Sequence, residues 1–384
     1  MPKYRAGMVG CGAISQAHVD GYEFADDIEL VAIADPVAAA RVRYAGDDGS
    51  VQEFETLEAM LEGAAPDIVS VCTRHGLHAE HVVTAARAGV KGIICEKPMA
   101  IGSGDATRMV EACEESGTRL AIGHQRRFCQ GWEKARQLIA EGAIGKPVMV
   151  TNKIAEGLAN IGTHSIDGSR FVLGDPEPDW VMGAVERLTD RHERDVPIED
   201  RCLGLVHFAG DVQLFLQADL YTEGWSCRTF PVYGSEGIME VDIAGVRLLS
   251  SSSAGWTDVD IGIPRDEVGE IGGVTNAAQV RELLDWIEGG PEHRSSGRTA
   301  RVTVDIMMAL YESARQRQVI NLPMEEQGYP LEKMIAAGEL PVAEPGAYDI
   351  RGFLNWDGID RDEYVKLKET GLNHGDIMRK LRET

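Results

Sequence analysis

The sequence predicts an α/β fold: an N-terminal Rossmann doubly wound parallel sheet, then an α+β domain on a mostly antiparallel open sheet. Three observations predict it. Over residues 1–123 short apolar runs alternate with helix-compatible stretches at the spacing of repeated βα units. A glycine turn, Gly10-Cys11-Gly12-Ala13-Ile14-Ser15, stands between the first apolar run and the first helical stretch. After Gly145 the pattern changes to strand-like runs joined by short turns.

Ala6 to Val9 is the first strand, and the turn after it is a GxGxxG pattern with Ser15 in the third glycine place. The first glycine permits the tight turn, the second lets a pyrophosphate approach the backbone, and the third position needs only a small residue for helix packing. Gly10, Cys11, Gly12, Ala13 and Ile14 are therefore candidate cofactor contacts. The next strand, Glu29 to Ala34, closes on Asp35-Pro36, 20 residues after Ser15. An acidic side chain there can take both hydroxyls of an adenosine ribose and opposes a 2'-phosphate, which favours NAD over NADP. Arg41 and Arg43 lie close enough in sequence to weaken that preference.

Thr56 reads as an N-cap for Leu57 to Glu62, Asp67 to Cys72 as a strand, and His78 to Ala88 as a helix closed by Gly89. The stretch Gly92 to Ala100, GIICEKPMA, is a short β-branched strand ending abruptly in Glu96, Lys97 and Pro98. In an open α/β sheet that end borders the ligand crevice. Lys97 is either a solvated loop lysine or a catalytic amine at the mouth of that crevice. A helix at Asp105 to Glu115 and a strand at Leu120 to Gly123 complete this half. His75, His78 and His81 could gather imidazoles, but no carboxylate or cysteine completes a set, so no metal site is predicted.

The formal charge of −24, from 38 Lys plus Arg against 62 Asp plus Glu, repels phosphate backbones and anionic lipid, and no nucleic-acid or membrane partner is expected. The 7 cysteines lack CxxC spacing and read as buried small hydrophobes. No signal-peptide pattern opens the chain, and a soluble cytoplasmic protein is expected.

In the second half, a helix Glu133 to Ala140 leads through Gly145-Lys146-Pro147 into Val148 to Lys153. Strand-like runs follow at Trp180 to Leu188, Cys202 to Phe208, Val212 to Tyr221, Arg228 to Tyr233, Ile238 to Ile243 and Val246 to Leu249. If the segment from Thr163 is helical, His164, Asp167, Gly168 and Phe171 share a face, and an imidazole one turn from a carboxylate suits proton transfer. Amphipathic helices are expected at Asn276 to Glu288 and Thr299 to Gln318, and a charged helix at Asp362 to Glu369. The change of period puts a domain boundary at about 123, and the chain is expected to divide into a dinucleotide-binding domain, 1–123, a substrate-binding and oligomerisation α+β domain, 124–322, and an extension, 323–384.

The turn at Gly10 to Ile14, Asp35-Pro36, Cys72-Thr73 with His78, Cys95-Glu96-Lys97-Pro98 and Gly123-His124-Gln125-Arg126-Arg127-Phe128 occur in one order at one set of spacings. Together they resemble the Gfo/Idh/MocA family of glucose-fructose oxidoreductase, inositol dehydrogenase and rhizopine-catabolism proteins, over at least residues 5–322. The resemblance implies that Lys97 is the active-site lysine, followed by a proline whose peptide bond is often cis. It implies further that Thr73, His78, Glu96, Lys97 and Gln125 lie at the cofactor. It also implies a homodimer or homotetramer. Two departures stand out: Arg74-His75 replaces a common Pro-Asn, and Phe171 occupies a position where the family has His or Tyr after Asp167. A phenyl ring exchanges no protons, so acid–base work falls to His164, to Lys97, or is absent.

The expected reaction is oxidation of a secondary alcohol on a sugar, sugar derivative or cyclitol, with hydride passing to NAD. Loss of hydride requires removal of the hydroxyl proton, and Lys97 in a desolvated crevice beside a cationic ring suits that task. Asp167 would hold the substrate hydroxyl and orient His164. Two alternatives stay open: a glycosidase that recycles NAD through a transient keto-sugar, and a non-enzymatic sensor of sugars or dinucleotides.

Overall fold

The computed structural model describes residues 3–45, 49–220, 228–251, 253–264, 269, 272–346, 349–356, 358–372 and 374–382. Tyr221 and Cys227 lie outside them; the other six cysteines are buried, and none of them forms a disulfide.

The first half alternates as expected: β1 (Tyr4–Val9), α1 (Ser15–Glu23), β2 (Ile28–Ala34), α2 (Ala38–Arg41), β3 (Gln52–Phe54), α3 (Leu57–Ala64), β4 (Ile68–Val71), α4 (His78–Arg87), β5 (Gly92–Cys95), α5 (Ser103–Ser116) and β6 (Arg119–Ile122). All six strands run parallel in the order β3-β2-β1-β4-β5-β6. The order reverses between β1 and β4, so a crevice opens at their carboxyl ends. β4 and β5 are buried throughout, which explains their unbroken apolar runs. Thr56 caps α3 by accepting from the Ala59 amide at 3.2 Å, as its sequence position predicts. β3 escapes the sequence pattern because it is a three-residue, polar edge strand.

The second half comprises α6 (Gln130–Ala140), β7 (Pro147–Ile154), α7 (Thr163–Val172), β8 (Pro178–Glu186), the hairpin β9 (His192–Glu193) and β10 (Val196–Pro197), β11 (Arg201–Phe208), β12 (Val212–Ala218), β13 (Phe230–Gly234), β14 (Gly237–Asp242), β15 (Gly245–Ser250), β16 (Thr257–Val259), α8 (Gly273–Ile287), α9 (Gly297–Gln316), β17 (Ile320–Asn321), α10 (Pro330–Ala336), α11 (Arg361–Glu369) and α12 (His374–Arg382). Nine of these strands form one sheet in the order β16-β15-β14-β13-β7-β12-β11-β8-β17. It is antiparallel except where β7 and β12 pair. β12 alternates buried and half-buried residues, so one face packs on helices while the other stays open.

Two helices tie the halves together. α7 is buried at every position. α8 returns to the first sheet: Ala277, Val280, Leu283 and Leu284 share a core cluster with Tyr4, Ile28, Ile68, Ile94 and Ala121. Gly92 is glycine because a side chain there would strike Ile287 and Leu283. The extension then runs beside the loop before β9, since Thr189 pairs with Glu344 and His192 with Asp349.

Candidate active site

The glycine turn has the geometry its spacing predicts. Gly10 has φ of +90°, and a Cβ there would lie 2.7 Å from the Cys72 carbonyl carbon and oxygen. An added Cβ at Gly12 meets nothing within 4 Å, so this backbone lies open to a ligand. Ser15 fills the third glycine position fully buried, its hydroxyl bonded to the Gly12 carbonyl and, at 2.7 Å, to Tyr44. Serine is tolerated because both hydroxyl partners are supplied.

Asp35 stands beside that turn at the end of β2. Its carboxylate accepts from the Cys11 amide at 2.9 Å and the Val37 amide at 2.8 Å. Arg43 donates to the Cys11 carbonyl at 3.1 Å and to that of Gly12. Arg41 reaches the Asp35 carbonyl and, at 3.2 Å, Glu53. Both arginines are committed to the protein, which leaves the carboxylate as the charge at the ribose end. An open Gly12 backbone, the start of α1 and this carboxylate fit the pyrophosphate and ribose of NAD.

At the end of β5 the Lys97–Pro98 bond is cis. Glu96 turns inward: it accepts from His18 Nε2 at 3.0 Å and from the Lys97 amide at 3.2 Å. Burial pushes its carboxyl upward, but the His18 bond and charge more than reverse this and hold it below the ordinary range. Glu96 thus braces the strand end from beneath. His78 lies between the Pro98 carbonyl, at 2.9 Å, and the Thr73 carbonyl, at 3.2 Å, tying the ends of β4 and β5 together. Thr73 Oγ1 meets His81 at 3.1 Å. Gln125 is buried on the single turn that follows β6. Among the described residues, no group of three or more His, Cys, Asp or Glu could hold a metal ion.

Lys97 itself is half-buried and crosses to the second domain. Its Nζ donates to the Asn160 carbonyl at 3.1 Å and to Asn160 Oδ1 at 3.2 Å. Burial lowers its pKa, and Arg194 and Arg126 add to this against the opposing charges of Glu193 and Glu96. Glu193, on β9, is buried with its carboxyl raised by burial. Its Oε1 lies 3.9 Å from His75 Nε2. His164 is buried and held well below its usual pKa by desolvation and then by Arg126, Lys97 and His124, so it presents a neutral ring.

The expected His164–Asp167 pair does not form. Asp167 is gripped by Arg127, Nε to Oδ2 at 2.8 Å and Nη2 to Oδ1 at 2.7 Å, and lies 3.2 Å from His124 Nδ1. Helical spacing put the two side chains on one face, but a guanidinium from the turn after β6 outcompetes a one-turn contact for the carboxylate. Burial raises the Asp167 pKa; the Arg127 and His124 charges and hydrogen bonds overcome that and leave it far below the carboxylate range. Phe171 lies beneath the Arg127 and Arg136 guanidinia, 5.2 and 4.7 Å from its ring centre.

Sequence reasoning assigned no role to Asn160, Glu193 or Arg127. Arg127 was legible only as part of the motif after β6. Asn160 sits on Leu158–Gly162, a single turn of wide i→i+5 helix ahead of α7, a form common at functional sites. Glu193 belongs to a two-residue strand with no periodic signal.

Residues 4–124 match the model of an oxidoreductase family with an NAD-binding Rossmann fold, and residues 153–240 match the GFO/IDH/MocA C-terminal domain. The rhizopine catabolism protein MocA of Rhizobium meliloti is 32% identical over 62% of this chain and 78% of its own. A D-apiose dehydrogenase from Paraburkholderia graminis is 26% identical over 88% of this chain and 94% of its own. A levoglucosan dehydrogenase structure in complex with NADH and levoglucosan superposes with a TM-score of 0.73 at 21% identity, covering 84% of this chain and all of that one (100%).

Proposed function

The chain belongs to the Gfo/Idh/MocA family and is an NAD-binding oxidoreductase; from that premise we propose that it oxidises a secondary hydroxyl of a sugar, sugar derivative or cyclitol, with Lys97 as the proton acceptor. The observation that carries the reading is the Lys97 amine, half-buried at the carboxyl end of β5 and hydrogen-bonded across the crevice to Asn160.

The Gly10–Ile14 turn and Asp35 would hold NAD, which when bound supplies a hydride acceptor. The protein's part is to take the alcohol proton. A lysine whose ammonium form is desolvated and flanked by Arg126 and Arg194 gives up its own proton more readily than one in water. Neutral His164 adds a second acceptor or polariser near the same position. Glu193 opposes the cationic side chains and favours the charged form of the lysine. Asp167, saturated by Arg127 and His124, holds those two side chains in place and does not hold the substrate hydroxyl. Phe171, stacked under two guanidinia, has a packing role, and acid–base chemistry does not need it.

Met182, Leu203 and Tyr233 stand exposed on the open face of the second sheet, the surface that a homodimer or homotetramer would cover. The test of the reaction is to supply NAD and a panel of aldoses, cyclitols and methyl glycosides and to follow reduced nicotinamide by absorbance. Accumulation with a polyol supports the reading; glycoside cleavage without net reduction replaces it with the NAD-recycling glycosidase.

A further inference from the structure

The extension beyond α10 reaches the catalytic lysine. Its backbone is pinned beside the second domain, where the Ile350 amide donates to the His192 carbonyl at 3.0 Å. Asp349 accepts from the Arg194 and Arg351 amides at 3.2 and 2.8 Å. From that anchor the Arg351 guanidinium donates to Glu156 Oε2 at 2.5 Å. The same oxygen accepts from Asn160 Nδ2 at 3.1 Å. Asn160 then turns Oδ1 and its carbonyl towards Lys97 Nζ, at 3.2 and 3.1 Å.

The order of donors and acceptors leaves one orientation of the amide. A carboxylate on one side accepts only from the NH2 group, so Oδ1 must face the lysine. Glu156 itself is held at φ +65°, a backbone region few side chains adopt. Asp219 fixes it there by accepting from the Glu156 and Gly157 amides, both at 2.8 Å. Beyond Arg351 the extension continues to the nucleotide turn. Trp356 packs against the cluster of Met8, Cys11 and Tyr44, and Lys368 donates to the Arg43 carbonyl at 3.0 Å. Both family-model matches end well before this segment, at residues 124 and 240.

We infer that Arg351 is a positioning residue for Lys97: through Glu156 it orients Asn160, whose two oxygens hold the amine at the crevice mouth. This rests on the reading of Lys97 as the proton acceptor. The other charged and titratable groups acting on or beside the lysine are Glu193, Glu96, Arg194, Arg126, His75 and His164; of these Glu193 itself feels Arg351 and Asp349 of the extension.

The test uses the full chain saturated with NAD. Lys97 acylation by acetic anhydride is followed against pH by peptide mass spectrometry, alongside the pH profile of polyol oxidation. Release of the Asn160 amide costs the ammonium form its Oδ1 acceptor, while the backbone carbonyl stays. In Arg351→Ala the Lys97 labelling midpoint and the acid limb of turnover should therefore both fall by about one pH unit, with NAD affinity unchanged. Arg351→Lys should recover part of the shift. Glu156→Ala, which removes the acceptor shared by Arg351 and Asn160, should reproduce it and serves as the deciding variant if Arg351→Ala fails to fold. A labelling midpoint equal to wild type in Glu156→Ala or Arg351→Ala overturns the inference. A shifted midpoint in a protein whose Lys97→Met variant still turns over polyol keeps the positioning role and removes the acid–base assignment.

Discussion

Arg127 holds Asp167 with two parallel hydrogen bonds of 2.7 and 2.8 Å, and both side chains are almost completely buried. The pair joins the turn after β6 to α7 and thus fixes the site helix beside the end of the first sheet. Removing one partner of such a pair strands a buried charge, at a cost of about 3–5 kcal/mol. Asp167→Ala should lose stability on that scale in urea unfolding, moderated by the second carboxylate on Arg127, Asp175 at 2.9 Å.

The same pair predicts acid sensitivity. The Asp167 pKa is depressed in the folded state, so its contribution is present above the unfolded carboxylate value and is lost as pH falls below about 4. Wild-type stability should fall on acidification through that range, and Asp167→Asn should lack this increment. Equal acid slopes in the two proteins would count against it.

Lys97→Met should bind NAD nearly as wild type does and lose turnover by about 10²–10⁴-fold. In the wild type, kcat/KM should rise with pH to a plateau reached below the ordinary lysine range, because burial lowers this amine's pKa. NAD titration by fluorescence and a pH series of initial rates check both.

Asp35→Ala removes the charge at the ribose end and the acceptor of the Cys11 and Val37 amides. NAD affinity should fall by roughly 10–100-fold, and the ratio of NAD to NADP affinity should shrink. Calorimetric titration with both dinucleotides measures this.

Gly168 faces the outer edge of the Trp132 ring on α6; an added Cβ would lie 2.4 Å from Cη2. Trp132 is fully buried and has no space to retreat into. Gly168→Ala should cost roughly 1–3 kcal/mol of stability and shift α7, lowering turnover as well. An unchanged melting temperature would contradict that packing.

The first half was legible because its strands are buried on both faces and its helices on one, so period and composition change together at each boundary. The turn at Gly10, the carboxylate at Asp35 and the lysine at the end of β5 followed from that regularity. Harder to read were β9, with two residues, and the wide turn carrying Asn160, since neither is long enough to show a period. The pairing of His164 with Asp167 was expected from helical spacing, which knows nothing of Arg127.

What the sequence determined by itself is the order of the elements, the dinucleotide turn and the presence of an amine at a strand end. These depend on near neighbours along the chain and on an alternation that burial enforces. The tertiary structure alone decided which partner each charge takes: Asp167 with Arg127, Lys97 with Asn160, and Arg351 with Glu156, 195 positions apart. In a buried site a charge settles on the best-oriented opposite group within reach, and reach is set by the folded geometry of both domains.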